Sequence, residues 1–194
     1  LFSRDIGIDL GSANTVVYVK GRGITIDEPS VLAVRKVGSK GKKEVIAFGH
    51  PAKRMIGKTP QGIDTVRPLQ HGVIADFDMT EQMVGHYMSA ANHGRRMMAH
   101  PRVAICVPAC VTEVEKRAVV DATLGAGARE AFVVEEPLAA ALGTGLRIKE
   151  PRGNMVVDVG GGTREGAVRS RGGGVISNSV RAAGGASDTA IRHL

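Results

Sequence analysis

Short apolar runs separated by glycine or proline fill the first quarter of the chain. This pattern is typical of consecutive strands joined by tight turns. The predicted strands are residues 6–10, 15–20, 23–27, 31–35 and 44–48. A short helix is predicted to follow at residues 50–56.

Further along, apolar residues recur at helical spacing and alternate with strand-like runs. Asp78 and Glu81 fit a capping box at the start of one helix, and Thr112 and Glu115 fit a second one. The other predicted elements are strands at residues 103–107, 132–134 and 154–159 and helices at residues 136–145 and 187–193. A strand meander followed by alternating strands and helices predicts a mixed α/β fold with helices flanking a sheet.

One short sequence motif occurs near both ends of the chain. Each copy is an apolar strand that ends in Asp, a turn of small residues and a second strand: Asp9 precedes residues 11–14, and Asp158 precedes residues 160–163. Such a turn can direct backbone N–H groups at phosphate oxygens, and a carboxylate beside phosphates holds Mg²⁺, usually through water. The pair therefore predicts two hairpins that grip one nucleotide, although each Asp alone is also typical of an ordinary turn.

Composition fits a globular chain and argues against one class of partner. The chain is 43% apolar and 23% charged, as in globular rather than disordered proteins. Only 3% of residues are aromatic and none is Trp, so stacking platforms for single-stranded nucleic acid are hard to assemble, and no nucleic-acid partner is expected. The net charge of +7 by itself favours a nucleotide, a nucleic acid or an anionic membrane surface, and it also fits simple solubility.

The cysteines and the hydropathy bear on the compartment. Cys106 and Cys110 have no His or further Cys at zinc spacing, which predicts buried free thiols. No apolar run is long enough to span a bilayer, and the first residues do not form a signal peptide. A reducing, cytoplasmic location is therefore expected.

Six sequence motifs resemble, in their order and spacing, those of the MreB/Mbl family of bacterial actin-like cell-shape proteins. They are residues 9–15, 28–31, 72–77, 107–108, 135–141 and 158–163. The resemblance implies an actin-like, ribonuclease-H-like mixed sheet flanked by helices. Residues 1–149 would form the first lobe, with a small inserted subdomain at about 32–66, and residues 150–194 would begin an incomplete second lobe of a chain truncated at its C-terminus.

The resemblance also implies roles for individual residues. Asp9 and Asp158 would hold Mg²⁺, while Glu136 and Thr163 would orient the water that attacks the γ-phosphate of ATP. The phosphate-binding residues would be Gly11, Ser12, Ala13 and Asn14 in the first hairpin and Gly160, Gly161, Gly162 and Thr163 in the second. This agrees with the chemistry, because γ-phosphate hydrolysis mainly needs a positioned water and neutralised charge. Alone, Glu136 before Pro137 is also typical of an acid at a helix N-terminus.

A loop at residues 94–101 carries Met97 and Met98 between arginines and a His-Pro pair. It resembles the hydrophobic loop with which MreB-like proteins enter lipid, and it predicts peripheral contact with the inner membrane. The alternative is that both methionines cover the end of the preceding helix.

Some residues depart from the family pattern. Arg164, Gly166, Arg169 and Arg171 interrupt the strand that returns from the second hairpin, so a poorly formed strand is expected there. Residues 182–188 stand where the family has a Gly-Gly-Asp turn, but here Ala186 follows Gly184 and Gly185, so the acidic residue of that turn is missing. Because the adenosine-binding segment of the family would lie beyond Leu194, ATP binding is expected to be weak.

The leading interpretation is a cytoskeletal protein that is at most a weak ATPase. It would form filaments with itself or a full-length homologue at the inner membrane and act with the cell-wall synthesis machinery to govern cell shape. One alternative is a degenerate paralogue without ATPase or polymerising activity. Others are a sugar-kinase-like phosphotransferase or an Hsp70-like nucleotide-binding module, for which the chain shows no specific signature.

Overall fold

The computed structural model describes residues 5–37, 42–91, 100–171, 173–181 and 183–192. The strands within these ranges are β1 Ile6–Leu10, β2 Asn14–Val19, β3 Gly23–Pro29, β4 Leu32–Val37, β5 Lys42–Phe48, β6 Ile63–Val66, β7 Leu69–Gln70, β8 Val73–Ile74, β9 Arg102–Val107, β10 Glu130–Glu135, β11 Asn154–Val159, β12 Arg164–Ser170 and β13 Gly173–Val180. The helices are α1 Gly49–Arg54, α2 Phe77–Ala91, α3 Glu113–Gly125, α4 Glu136–Gly143 and α5 Gly184–Arg192. Most predicted elements are found, with ends that shift by a few residues.

The main sheet has five strands in the order β10-β9-β1-β2-β3. Consecutive strands β1, β2 and β3 pair antiparallel through short turns, whereas β1, β9 and β10 run parallel. Parallel neighbours need long crossovers, and α3 lies in the connection from β9 to β10. Parallel strands end at a common edge, which brings Asp9, Pro108 and Glu136 to one side of the sheet.

The core lies between this sheet and helices α2 and α3. The face of α2 predicted from its spacing is buried, and Tyr87 at its centre is 2% exposed. Its hydroxyl donates a hydrogen bond of 3.2 Å to the carbonyl oxygen of Pro29. The other large buried side chains include Ile6, Ile8, Val17, Val19, Met83, Val103 and Ile105.

Two three-stranded sheets accompany the main one, and β7 pairs with β8 in a two-stranded sheet. Strands β5, β4 and β6 form a sheet of their own within the predicted insertion at about 32–66, and α1 packs on it. Strands β11, β12 and β13 form a second sheet, whose outer face exposes Met155, Val157 and Val159. The division of the chain into lobes stays a prediction.

The strand after the second hairpin forms, so the expectation of a poorly formed strand was wrong. Strand β12 pairs with β11 from Arg164 to Arg169 and pairs with β13 on its other side. The inward Arg169 side chain forms an ion pair with Glu135, which offsets the cost of burying its charge. A side chain at Gly166 would meet nothing within 4 Å, so this glycine disrupts no packing.

The N-cap of helix α2 lies two residues before the predicted one. Asp76 is the N-cap residue, because its Oδ1 accepts a hydrogen bond of 3.2 Å from the Met79 N–H and its carbonyl oxygen accepts one of 3.0 Å from the Thr80 N–H. The capping box predicted at Asp78 was therefore wrong. The box at Thr112 and Glu115 is confirmed: each side chain accepts a hydrogen bond from the other residue's backbone N–H.

Within the described ranges, no helix has both the length and the hydrophobicity needed to cross a membrane. Met97 and Met98, predicted to contact lipid, lie outside the described residues.

Replacing Asp76, the observed N-cap of α2, is expected to lower the free energy of unfolding more than replacing Asp78, the predicted one. Asp76→Ala removes the cap and the 2.8 Å ion pair with Lys43, so it is expected to lower the free energy of unfolding by about 1–2 kcal/mol. Asp78→Ala removes a favourable charge in the first turn, worth about 0.3–1 kcal/mol, and a weaker attraction to Lys43. Urea denaturation of both variants and of Asp76→Asn, which keeps a good cap, measures the difference. A larger loss for Asp78→Ala than for Asp76→Ala would contradict the assignment.

Candidate functional site

The two acid-tipped hairpins lie directly against each other. The turn after β11 packs so closely on the turn after β1 that a β-carbon added at Gly161 would overlap the Ala13 methyl group. A β-carbon added at Gly162 would lie 2.6 Å from Ser12 Oγ. Only glycine at these two positions allows the turns to approach this closely.

Hydrogen bonds fix the shape of each turn. The Gly160 N–H donates to the Thr163 carbonyl oxygen over 2.9 Å, which closes the second turn. In the first turn, Ser30 donates its hydroxyl to the Gly11 carbonyl oxygen over 2.5 Å and its N–H to the Ala13 carbonyl oxygen over 2.9 Å. Asn14, the last predicted residue of the first turn, begins β2 and is exposed.

A third turn, between β7 and β8, packs against both hairpins. Its Gly72 N–H donates a hydrogen bond of 2.8 Å to Ser12 Oγ. A β-carbon at Gly72 would lie 2.6 Å from Pro108 Cγ and 3.0 Å from Thr163 Cγ2. Residues 72–77 enter the sequence analysis only as a motif that resembles the family, which does not predict this contact. A His-Gly pair indicates a turn, but it does not show which residues the turn packs against.

Asp9 and Asp158 lie within electrostatic reach of each other. Asp9 is exposed on β1, but neighbouring protein partly desolvates its carboxyl. This desolvation raises the pKa of Asp9, and repulsion from Asp158 raises it further. Within the described part of the chain, no Lys, Arg or His forms an ion pair with either carboxylate. The structure thus places two uncompensated negative charges at the base of the two turns.

Glu136 is the first residue of α4 and adds a third carboxyl to this place. Burial raises its pKa to about 8, with further contributions from repulsion by Asp9, Glu165 and Asp158. Thr163 ends the second turn and is buried. Among the described contacts, Thr163 shares no hydrogen bond with Glu136, so the structure brings Glu136 to the aspartates without joining it directly to Thr163.

Sequence reasoning gave no role to Glu165, which is 2% exposed. It lies opposite Asp158 in the sheet, and both of its carboxylate oxygens are 3.1 Å from the Ala109 N–H. Burial raises the pKa of Glu165, although hydrogen bonds from Ala109 and Ser179 act in the opposite direction. The sequence feature that could have indicated a role for Glu165 is an acidic residue at an inward position of a strand with alternating burial. The hydrogen bond from Ala109 to Glu165 ties the strand of the second hairpin to the loop after β9.

The two cysteines are free thiols, as predicted, but the prediction that both are buried is wrong for Cys110, which is exposed. Cys106 is half-buried on β9, beside β1. Burial, together with repulsion from Asp9, Glu136 and Asp158, raises the pKa of its thiol to about 12. A thiol with so high a pKa is a poor nucleophile at neutral pH.

The donors present suit a magnesium ion that binds together with phosphates. In the ranges that the structure describes, no group of three or more His, Cys, Asp or Glu side chains could hold a metal ion by itself. Mg²⁺ usually keeps several waters and binds through one or two carboxylates plus phosphate oxygens. Asp9, which is exposed, and Asp158, which is half-buried, form no ion pair with any described residue and so fit that requirement.

Solved structures identify the fold as an actin-like mixed α/β fold. MreB5 of Spiroplasma citri bound to ADP superposes with a TM-score of 0.87 at 36% identity, covering 98% of this chain and 56% of that one. The MamK double helical filament gives a TM-score of 0.79 and covers 99% of this chain and 58% of that one, but at 22% identity it supports the fold alone.

Sequence comparison gives the family. The profile of the MreB/Mbl protein family matches residues 3–194. Cell shape-determining protein MreB of Escherichia coli K12 is 51% identical over 191 residues, which are 98% of this chain and 55% of the relative. Cell shape-determining protein Mbl of Bacillus subtilis 168 is 46% identical over 191 residues and is covered to 56%. The chain belongs to the MreB/Mbl family and spans about half the length of the curated relatives it matches.

The carboxyl cluster predicts a specific dependence of stability on pH. Because the pKa of Glu136 rises from 4.5 to about 8 on folding, its contribution to stability is present below pH 4.5 and is lost as the pH rises through 8. Glu136→Gln is therefore expected to raise the melting temperature at pH 8.5 more than at pH 5, by about 2–4 °C for each 1 kcal/mol.

Thermal melts of the nucleotide-free chain across this pH range measure the effect. Glu44→Gln, at an exposed position on β5, is the control and should shift the melting temperature equally at both pH values. A gain for Glu136→Gln that is the same at pH 5 and pH 8.5 would contradict the assigned cause.

Proposed function

We propose that this chain binds the phosphates of ATP, with magnesium, between its two hairpins, beside the point where the two turns touch. The observation that carries the proposal is the direct contact of the turns at Gly161 and Ala13, with Asp9 and Asp158 beside them. It is supported by MreB5 of Spiroplasma citri, whose structures bound to ADP and to AMPPNP match 98% and 100% of this chain.

The proposed phosphate-binding residues share small side chains and positions in the two turns. They are Gly11, Ser12, Ala13 and Asn14 in the first turn and Gly160, Gly161, Gly162 and Thr163 in the second. Small side chains let phosphate oxygens approach backbone N–H groups, which bind anions well where several point the same way. Asp9 and Asp158 would hold the magnesium ion, which supplies positive charge that offsets the phosphates and the carboxylates.

Hydrolysis is proposed to depend on Glu136 and Thr163. An ionised Glu136 carboxylate can accept a hydrogen bond from water and so orient it toward a γ-phosphate. Burial, together with repulsion from Asp9 and Asp158, disfavours that ionised form. A magnesium ion beside the two aspartates would offset their repulsion of the Glu136 carboxylate, whereas the negative phosphates would add to it.

A role in cell shape is proposed from the family. The relatives are cell shape-determining proteins, and family membership favours this role over a sugar-kinase-like or Hsp70-like activity. Assembly into filaments with itself or a full-length homologue, at the cytoplasmic face of the membrane and with the cell-wall synthesis machinery, belongs to the same proposal.

Nucleotide binding predicts a rise in melting temperature with Mg-ATP. A ligand that binds only the folded chain at 100 times its dissociation constant adds about 2.7 kcal/mol of stability. Asp9→Ala is expected to abolish the rise, whereas Asp27→Ala, which removes an exposed carboxylate from β3, should keep it. No rise in the unchanged chain at millimolar Mg-ATP would instead indicate a remnant without nucleotide binding.

The contact between the turns predicts that Gly161→Ala weakens binding. The added methyl group would collide with Ala13 and force the turns apart, so the dissociation constant for Mg-ATP is expected to rise about tenfold or more. Gly166→Ala is the matched control, since its methyl group would meet no atom within 4 Å. Isothermal titration calorimetry compares the two variants, and equal affinities would show that the spacing of the turns is not what binds the phosphates.

A further inference from the structure

The inward-facing Arg169 occupies a niche formed by its own sheet. Arg169 is 6% exposed and lies on β12, whose pairing with β13 shifts register between Val168 and Arg169. Gly174 lies opposite on β13, and a β-carbon there would be 2.9 Å from Arg169 Nη1. The missing side chain at Gly174 thus makes room for the guanidinium group.

The Arg169 guanidinium reaches the residue that precedes the candidate water-orienting carboxylate. Its Nη2 donates a hydrogen bond to Glu135 Oε2, which also makes an ion pair. Glu135 is the N-cap residue of α4, yet its side chain forms no capping hydrogen bond. Lys116, which also lies within electrostatic reach of Glu135, is paired with Glu113. The N-cap carboxylate is therefore directed across to β12 instead of to its own helix.

Packing alone does not explain Arg169. Its Nε is buried and has no hydrogen-bond acceptor among the described residues. A buried donor without an acceptor destabilises the folded state, and a well-packed apolar side chain often replaces a buried ion pair without loss. Burying the Arg169 guanidinium therefore destabilises the fold, and the ion pair with Glu135 is the interaction that this burial makes possible.

We propose that Arg169 is a positioning residue for Glu136. By holding Glu135, it fixes the first turn of α4 against β12, the strand that leaves the second hairpin at Thr163. Pro137 restricts the backbone after Glu136, so a fixed Glu135 also fixes the direction in which the Glu136 side chain leaves the backbone. This inference rests on the proposed function, because it concerns the residue assigned to orient water.

Hydrogen exchange tests the tie in the chain without nucleotide. Arg169→Met is expected to speed amide exchange in α4, residues 136–143, by about tenfold, whereas α2 should keep its rate. Arg169→Lys, which keeps the charge, should restore part of the protection. Arg171→Met, an exposed arginine two residues away, is the matched control and should change neither helix. Unchanged exchange in α4, or an equal increase in α2, would overturn the proposal.

Hydrolysis provides a second readout that a merely structural role would not move. In single-turnover ATP hydrolysis, Arg169→Met is expected to lower the rate by about 10- to 100-fold while the dissociation constant for Mg-ATP changes less than about threefold. Equal losses in rate and affinity would overturn the positioning role. If the unchanged chain neither binds nor hydrolyses ATP, the proposed function fails, and the exchange experiment still decides whether Arg169 holds α4.

Discussion

The contact between two glycine turns determines how the carboxyl groups of this molecule are arranged. Gly161 and Gly162 lie on Ala13 and Ser12 with no room for a further carbon atom. Because the turns touch, Asp9 and Asp158 at their bases interact, and their repulsion extends to Glu136. The fold thus concentrates three acidic side chains at one place, an arrangement that costs stability and that is common at functional sites.

Links from several elements hold this arrangement together. Parallel strands β1, β9 and β10 end at one edge of the main sheet, so the first turn, the loop after β9 and the start of α4 are neighbours. Glu165 accepts a hydrogen bond from Ala109 in that loop, and Arg169 pairs with Glu135 before α4. Gly72 adds a bond to Ser12. Strand β12 therefore reaches two separate parts of the main sheet through two inward-facing charged side chains.

Local patterns in the sequence predicted most elements, and the order of motifs predicted the actin-like fold. The box at Thr112 was predictable because both partners lie within one turn of helix, whereas the choice between Asp76 and Asp78 depends on where the chain leaves β8. Arg169 appeared disruptive because its partner lies 34 positions away in the chain. The roles assigned to the turn residues and aspartates stay predictions, since proximity alone does not show what they bind.

The most direct measurement is a crystal structure of this chain grown with Mg-ADP. The expected result is electron density for the two phosphates between residues 11–14 and 160–163, with magnesium beside Asp9 and Asp158. Phosphates bound at another surface, or turns that stand apart with no nucleotide between them, would contradict the proposed site.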